Sequence, residues 1–383
     1  MIKRLGDICT FVGGGTPSKK NPDFFNGSIP WATVRDMNVR VIKTTEHSIT
    51  PDAVQQSATN IIPQGEVVIS THVGLGKVCV LGQDTAINQD LKAVIPNWGL
   101  SRRYLYYWFI SKADELIANG KGATVKGVTL DFVKNLKIQV MPEREQETVS
   151  DTLDKVNRII QLADSQVARL DQLVKSRFVE MFGDPMTNPN GWPMAMVGDH
   201  LRFLTSGSRG WAKYYADDGE LFITIKNVKG GKISTNDVQH VKPPTGAEAE
   251  RTRVQEGDLL ISITADLGRT GIVTRDLADQ GAYINQHLSC VRLDRKSVEP
   301  LFVAFYLESA AGKAQFEKKN QSAVKAGLNF EAIRSLRFYL PPLALQREFA
   351  AFVEKVDKLA FAARRRRDVA KQLYRAKIQE FFG

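Results

Sequence analysis

Between Glu143 and Gly183 the apolar residues fall at Val149, Leu153, Val156, Ile160, Ala163, Val167, Leu170, Val174, Phe178 and Met181, in steps of three and four. That rhythm lays one stripe along one face of a long helix. Pro142 precedes the segment and Gly183-Asp184-Pro185 follows it, as helix start and stop signals do. At ~1.5 Å of rise per residue such a helix spans roughly 60 Å, longer than a small domain is wide, so it connects things or holds them apart. The same register returns in Leu343 to Phe382, at Phe349, Val353, Val356, Ala360, Ala363, Ala370, Tyr374, Ile378 and Phe381, with Arg367 interrupting the stripe. Leu153, Val156, Ile160, Val167, Leu170, Val353, Val356 and Tyr374 are the positions expected to pack the two helices.

The recurrence extends to the rest of the chain. Leu5-Gly6-Asp7 matches Val197-Gly198-Asp199, and Ile62 to Ser70 matches Val254 to Ser262, both 192 residues apart. Asn88-Gln89 matches Asn285-Gln286 at 197, and from Gly127/Gly327 onward the offset is 200, through Pro142/Pro342, Gln146/Gln346 and Phe182-Gly183/Phe382-Gly383. The chain is a tandem duplication. Each copy reads as a globular part with short β-rich runs between Gly, Pro and Asn turns, then a long helix. This predicts an α/β (α+β) domain at 1–142, a helix at 143–183, a second domain at 184–342 that begins with a turn-rich linker at 184–193, and a second helix at 343–383. Within each domain an aromatic-rich helix is expected, Ser101 to Asn119 and Glu299 to Asn320, its rings read as core.

Charge changes this picture. The helix segment from Glu143 to Gly183 carries six Lys/Arg against eight Asp/Glu; Leu343 to Gly383 carries ten against five. Equal stripes of opposite charge suggest an antiparallel coiled-coil pair with one domain at each end. The whole chain, at 383 residues, has a net charge of +10 and favours a polyanionic partner. Three scattered cysteines give neither a disulfide framework nor a zinc spacing, and the five histidines never pair at ligand spacing, so no metal is expected. No apolar run is long enough to span a bilayer and no signal-peptide core opens the chain; a cytoplasmic protein with no membrane partner is expected. Two unequal heads on a spacer can read two unequal marks on double-stranded DNA at a fixed separation.

At Gly14-Gly15-Thr16-Pro17-Ser18, Ile29-Pro30-Trp31, Ile62 to Glu66, Gly74-Leu75-Gly76-Lys77, Asn88-Gln89, both Pro-led helix starts with Gln146 and Gln346, and both helix ends, the sequence resembles the specificity subunits of type I restriction-modification systems. The likeness covers nearly the whole chain and rests on order and duplication. It implies two target-recognition domains reading a bipartite, asymmetric site, and a spacer that docks two modification (methyltransferase) subunits. Those subunits would carry S-adenosylmethionine and methylate adenine, the chain itself needing no cofactor, and two restriction (translocase/nuclease) subunits can join. The second copy departs at Thr205-Ser206-Gly207-Ser208-Arg209.

Phosphate contacts need Lys, Arg or small polar groups on loops, and base reading needs side chains such as Arg, Asn and Gln. The candidates are Thr16, Ser18, Lys19 and Lys20 in the glycine loop, with Ser208, Arg209 and Lys213 as counterparts. Lys77 and Arg269 end equivalent turns, and Lys121, Lys126, Lys319 and Lys325 lie in two basic stretches. Arg35 and Lys226 follow short strands, and Gln89 and Gln286 complete the set. The run Arg364 to Arg367 reads equally as a DNA clamp or as a partner for acidic groups on the other helix or a docked subunit.

An enzyme is the competing class. Phe11-Val12-Gly13-Gly14-Gly15 fits an F-x-G-x-G pattern for S-adenosylmethionine, and Asn21-Pro22-Asp23-Phe24 approximates the N-P-P-F motif of DNA methyltransferases. Only five residues separate them, too few for a crossover helix. No catalysis by the isolated chain is expected. A scaffold bridging protein partners is the third class, distinguished by absent or salt-insensitive DNA binding.

Overall fold

The computed structural model describes residues 1–122, 127–321 and 327–383. These form two compact units, Met1–Ser165 with Arg364–Gly383, and Gln166–Ala363.

In the first unit a five-stranded sheet runs in the order Cys9–Gly13, Leu91–Pro96, Val67–Ser70, Val78–Leu81, Val41–Ile42. A four-stranded sheet has the order His47–Ile49, Ile29–Ala32, Thr85–Ile87, Asn60–Ile62. Its two central strands are parallel, Trp31 beside Ala86 and Ala32 beside Ile87. Strand Val67–Ser70 is buried on both faces, and the two-residue period decides what each face meets. Val67 and Ile69 enter a core with the helix Arg102–Ser111, Leu153 and, against it, Tyr374, Ile378 and Phe381. Val68 joins Ala32, Ile42, Ile62, Cys79 and Ile87 in a second core between the sheets. Tyr104, Tyr107 and Phe109 are fully buried in this first unit, so the aromatic helix fills a core.

The second unit repeats the plan. One sheet runs Leu201–Ser206, Leu288–Leu293, Leu259–Ser262, Thr270–Ile272; the other runs Tyr215–Ala216, Gln239–Val241, Glu220–Ile223, Ala282–Ile284. Again the last pair is parallel. Leu259 and Ile261 face the core with Phe178, Phe302 and Phe349, while Leu260 faces the other core with Ile223 and Ile284. The linker packs into this unit, since the Trp192 indole N–H donates to the Phe182 carbonyl at 2.9 Å.

The long helices run Glu143–Phe182 and Leu343–Phe382, 40 residues each. Within the second unit Phe178 meets Phe349 at 5.3 Å between ring centroids, and Arg177 pairs with Glu348 at 3.2 Å. Leu170 packs on the same core as Val353 and Val356. Within the first unit Arg367 pairs with Asp164 at 3.3 Å, so the residue that breaks the stripe meets an acid on the other helix. Val156 is buried; Ile160 and Val167 are half-buried. Gln146 and Gln346 are buried where each helix starts. Gln146 accepts from the Ser101 N–H (2.8 Å) and donates to the Gly99 (2.6 Å) and Met141 (2.8 Å) carbonyls. Gln346 accepts from the Glu299 N–H (2.9 Å) and donates to the Pro341 carbonyl (2.7 Å).

Equivalent basic residues tie each domain to helix within its own unit. Arg40 meets Asp154 at 2.5 Å, and Lys232 meets Asp357 at 2.5 Å and Asp171 at 3.4 Å. Asp154 also accepts from Arg103 and the Tyr107 hydroxyl. Its partial burial works to raise its pKa, but these three donors outweigh that and hold the carboxyl below its ordinary value.

Candidate nucleic-acid interface

Strand Ile29–Ala32 ends in a tight turn, Val34–Asp36, and strand Glu220–Ile223 ends in its counterpart, Ile225–Asn227. Local chemistry makes both. The Thr33 N–H donates to Asp36 (2.8 Å) and the Thr224 N–H to Asn227 (3.0 Å), closing the same four-residue box. Each box leaves one basic side chain, Arg35 or Lys226, exposed at the carboxyl end of a parallel strand pair. In α/β sheets ligands bind at such edges.

The surroundings of the two turns differ. Arg35 pairs with Glu46 at 3.3 Å. Lys77 reaches the same turn, donating to the Asn38 side chain (2.8 Å) and the Val34 carbonyl (3.3 Å), which leaves it half-buried. Lys226 forms no ion pair among the described residues and lines a cavity of about 440 Å³ with Tyr215, Thr224, Asp237, Gln239, Asn285 and His287. Gln286 lies beside it, its amide nitrogen 3.3 Å from the His287 ring, whose other nitrogen is 2.7 Å from the Thr264 hydroxyl.

The glycine loop of each copy packs backbone to backbone against the strand next door. The Gly15 N–H donates to the Ile87 carbonyl, and the Ser208 N–H to the Ile284 carbonyl, both at 3.0 Å. A Cβ at Gly14 would sit 2.1 Å from the Asn88 carbonyl oxygen, and one at Gly207 2.1 Å from that of Asn285, so only glycine fits. In the first copy this brings Thr16 to Gln89 by a side-chain hydrogen bond, with Lys92 donating to the Gln89 carbonyl at 3.0 Å. Ser18, Lys19 and Lys20 stand exposed beyond.

The remaining sequence candidates have other surroundings. Ser208 is buried and its hydroxyl is taken by the Ile284 carbonyl (3.3 Å), while Arg209 is exposed with its N–H toward Glu248 (3.4 Å). Lys213 stands over the Tyr214 ring, Arg269 pairs with Asp266, and Lys319 donates to Ser335 at 2.6 Å. Lys121 is exposed. Lys126 and Lys325 lie outside the described residues. Glu66 and Asp258, acids at matching positions of the repeated strand start, bind Arg102 (2.5 Å) and Arg292 (2.7 Å) and so serve the fold. The sequence reading missed Tyr215, Asp237, Gln239 and His287. One signal was present: His287 stands 197 residues after Asp90, inside a matched stretch, so the copies differ in charge there. Cys9, Cys79 and Cys290 are buried free thiols; burial raises Cys9 and Cys79 to about 12 and raises Cys290 too, which disfavours the thiolate form.

Among the described residues no group of His, Cys, Asp and Glu could hold a metal ion, and no helix is long and apolar enough to cross a membrane.

Fold and site describe a duplicated protein with a basic turn at one sheet edge of each copy. The type I restriction modification DNA specificity domain matches residues 1–172 and again 221–370, and the chain belongs to that family. The MjaIX specificity subunit of Methanocaldococcus jannaschii is 27% identical over 261 residues, 62% of this chain and 60% of the relative. The EcoR124I/EcoR124II specificity subunit of Escherichia coli is 34% identical over 164 residues, 41% of each chain. The chain thus spans about 60% and 41% of these relatives' lengths. Among solved structures, the S subunit of a type I restriction-modification system from M. genitalium matches with a TM-score of 0.63 at 12% identity, over 100% of this chain and 96% of that one. A chain from a structure of type I complex assembly and conformational transition matches at 0.59 and 19% identity, over 100% and 97%. These likenesses in structure show the fold.

Proposed function

We propose that the chain is a non-catalytic specificity subunit that reads a bipartite, asymmetric site on double-stranded DNA, one half-site per domain. The observation that carries this reading is the repeated turn holding Arg35 and Lys226 at equivalent sheet edges with different neighbours. Shared placement suits two readers of one polymer; different neighbours suit two different half-sites. Residues 1–142 and 184–342 are assigned as the target-recognition domains, and 143–183 and 343–383 as an antiparallel coiled-coil spacer. The Arg177–Glu348 and Arg367–Asp164 pairs, each inside its own unit, support that pairing.

The spacer also docks two modification subunits, which would bring S-adenosylmethionine and methylate adenine, and two restriction subunits can join them. Leu162, Leu173, Leu359, Phe361 and Val369 support this, since they leave apolar surface exposed on the two helices, up to 64% at Phe361. The complex would work on cytoplasmic DNA.

DNA affinity measured against salt tests the reading. Specific binding by the complex should fall steeply as salt rises, because neutralised phosphates release counterions. Replacing Lys19 and Lys20 together with alanine should lower both the affinity and the salt slope; if neither changes, the assignment of the first copy's loop fails. Salt-insensitive or absent binding by the intact complex would favour a protein scaffold.

A further inference from the structure

We propose that the cavity around Lys226 in the second domain reads the major-groove edge of one G·C pair, with Lys226 on the guanine and Asp237 on the cytosine. This rests on the DNA-reading assignment above and names the base class that one half of the site takes.

The cavity lies where two parallel strands end. Thr224 follows Glu220–Ile223 and Asn285 follows Ala282–Ile284, and both residues line it. Its volume of about 440 Å³ falls within the roughly 300–1,000 Å³ of small-ligand sites. Its chemistry then discriminates among polyanion contacts. A phosphate site collects donors alone, whereas this lining combines the Lys226 ammonium with the Asp237 carboxylate and the Gln239 side chain. The Gln239 amide nitrogen is committed to the His240 carbonyl (3.0 Å), which leaves its oxygen as an acceptor. A carboxylate in the lining repels phosphate and accepts from an amino group. In the major groove a G·C pair shows guanine N7 and O6 as acceptors beside the cytosine N4 amino donor. Lys226 and Asp237 supply the complement of that edge.

Asp237 holds a left-handed backbone with φ of 57°, a conformation that costs a non-glycine residue energy and tends to persist where a side chain must be aimed. Lys226 and Asp237 are both exposed and make no ion pair among the described residues, so neither is needed to close the fold. The first copy has a different set at the matching positions. Arg35 is held by Glu46, His47 stands where Gln239 does, and Asp90 where His287 does. The first half-site should therefore not share this pair.

The test maps methylated bases in DNA exposed to the complete complex of chain and modification subunits, first with the natural chain. Lys226→Ala and Asp237→Ala should each relax one G·C position in the second half of the motif, by about 5- to 150-fold in discrimination, and leave the first half unchanged. Lys226→Arg, which keeps the guanine contact, should retain it. Thermal melting of each variant confirms that the fold is kept. An unchanged motif in both variants overturns the proposal, as does relaxation at an A·T position. A uniform loss of binding at every sequence with a shallower salt slope also overturns it, because that marks Lys226 as a phosphate contact. Each of these leaves the specificity-subunit reading standing; that reading falls if the natural complex leaves no motif, or none split into two different halves.

Discussion

Gln146 gives the sharpest test of how the helices join their domains. It is 1% exposed and holds three backbone groups: the Ser101 N–H and the Gly99 and Met141 carbonyls. Gln146→Ala strands the half-buried Ser101 N–H and Met141 carbonyl, while Gly99 is exposed and its carbonyl can take water instead. At about 1 kcal/mol per buried unpaired backbone group, the loss is about 2 kcal/mol. Gln346→Ala strands two, the Glu299 N–H and the Pro341 carbonyl, and should cost about 2 kcal/mol. Gln146→Glu sharpens the point. It keeps the acceptor for Ser101 but sets a second carboxylate oxygen against two carbonyls, so it should be no more stable than the alanine variant. Urea unfolding gives the totals. Hydrogen exchange at the Ser101 and Glu299 amides assigns each loss to its own unit, which a single transition in a two-unit chain cannot do. A Gln146→Ala variant within about 0.5 kcal/mol of the natural chain, or a Gln146→Glu variant as stable as it, would mean that these bonds do not hold the helix start to its domain.

Other perturbations follow from the same contacts. Gly14→Ala puts a Cβ 2.1 Å from a backbone oxygen and should cost about 1–3 kcal/mol or displace the Thr16 loop, whereas Gly13→Ala, whose nearest neighbour is the Lys92 ammonium at 3.4 Å, should be close to neutral in thermal melts. The Asp154 carboxyl titrates below its ordinary value of 3.8 when folded, so its contribution is complete above the unfolded pKa and fades as pH falls through the lower folded one. The stability gap between the natural chain and Asp154→Asn should therefore hold steady from pH 5 to 8 and close in acid, which unfolding at stepped pH would check. Leu162→Asp or Phe361→Asp should weaken capture of the modification subunits in pull-downs while DNA affinity stays within about twofold, since surface changes away from a site move energies little.

The stripe at Leu153, Val156, Leu170, Val353 and Val356 was legible because a helix writes its buried face at a fixed period. The duplication made the second copy legible from the first, and Arg35 and Lys226 were legible as residues following short strands, but not the turns that hold them. What stayed hidden was set by pairing between distant segments. Lys77 reads as a free cation until strand order brings Asn38 and the Val34 carbonyl to it. Gln146 marks only a repeated helix start in the sequence; that it holds the Ser101 N–H, just before the aromatic helix, depends on how the two helices meet. Tyr215, Asp237 and Gln239 meet Asn285 and His287 only through the strand order Tyr215–Ala216, Gln239–Val241, Glu220–Ile223, Ala282–Ile284, which no periodicity records. Ser208 looked free for a ligand because its loop is polar; the close approach that Gly207 permits turns its hydroxyl inward.

On the proposed reading, two unequal domains read two unequal half-sites at a set separation. Mapping every methylated base left on genomic DNA by the assembled complex tests this. Two such domains on a spacer should leave one split motif with two different halves and a fixed number of unread base pairs between them. A single contiguous motif, two identical halves, or methylation without any motif would contradict it.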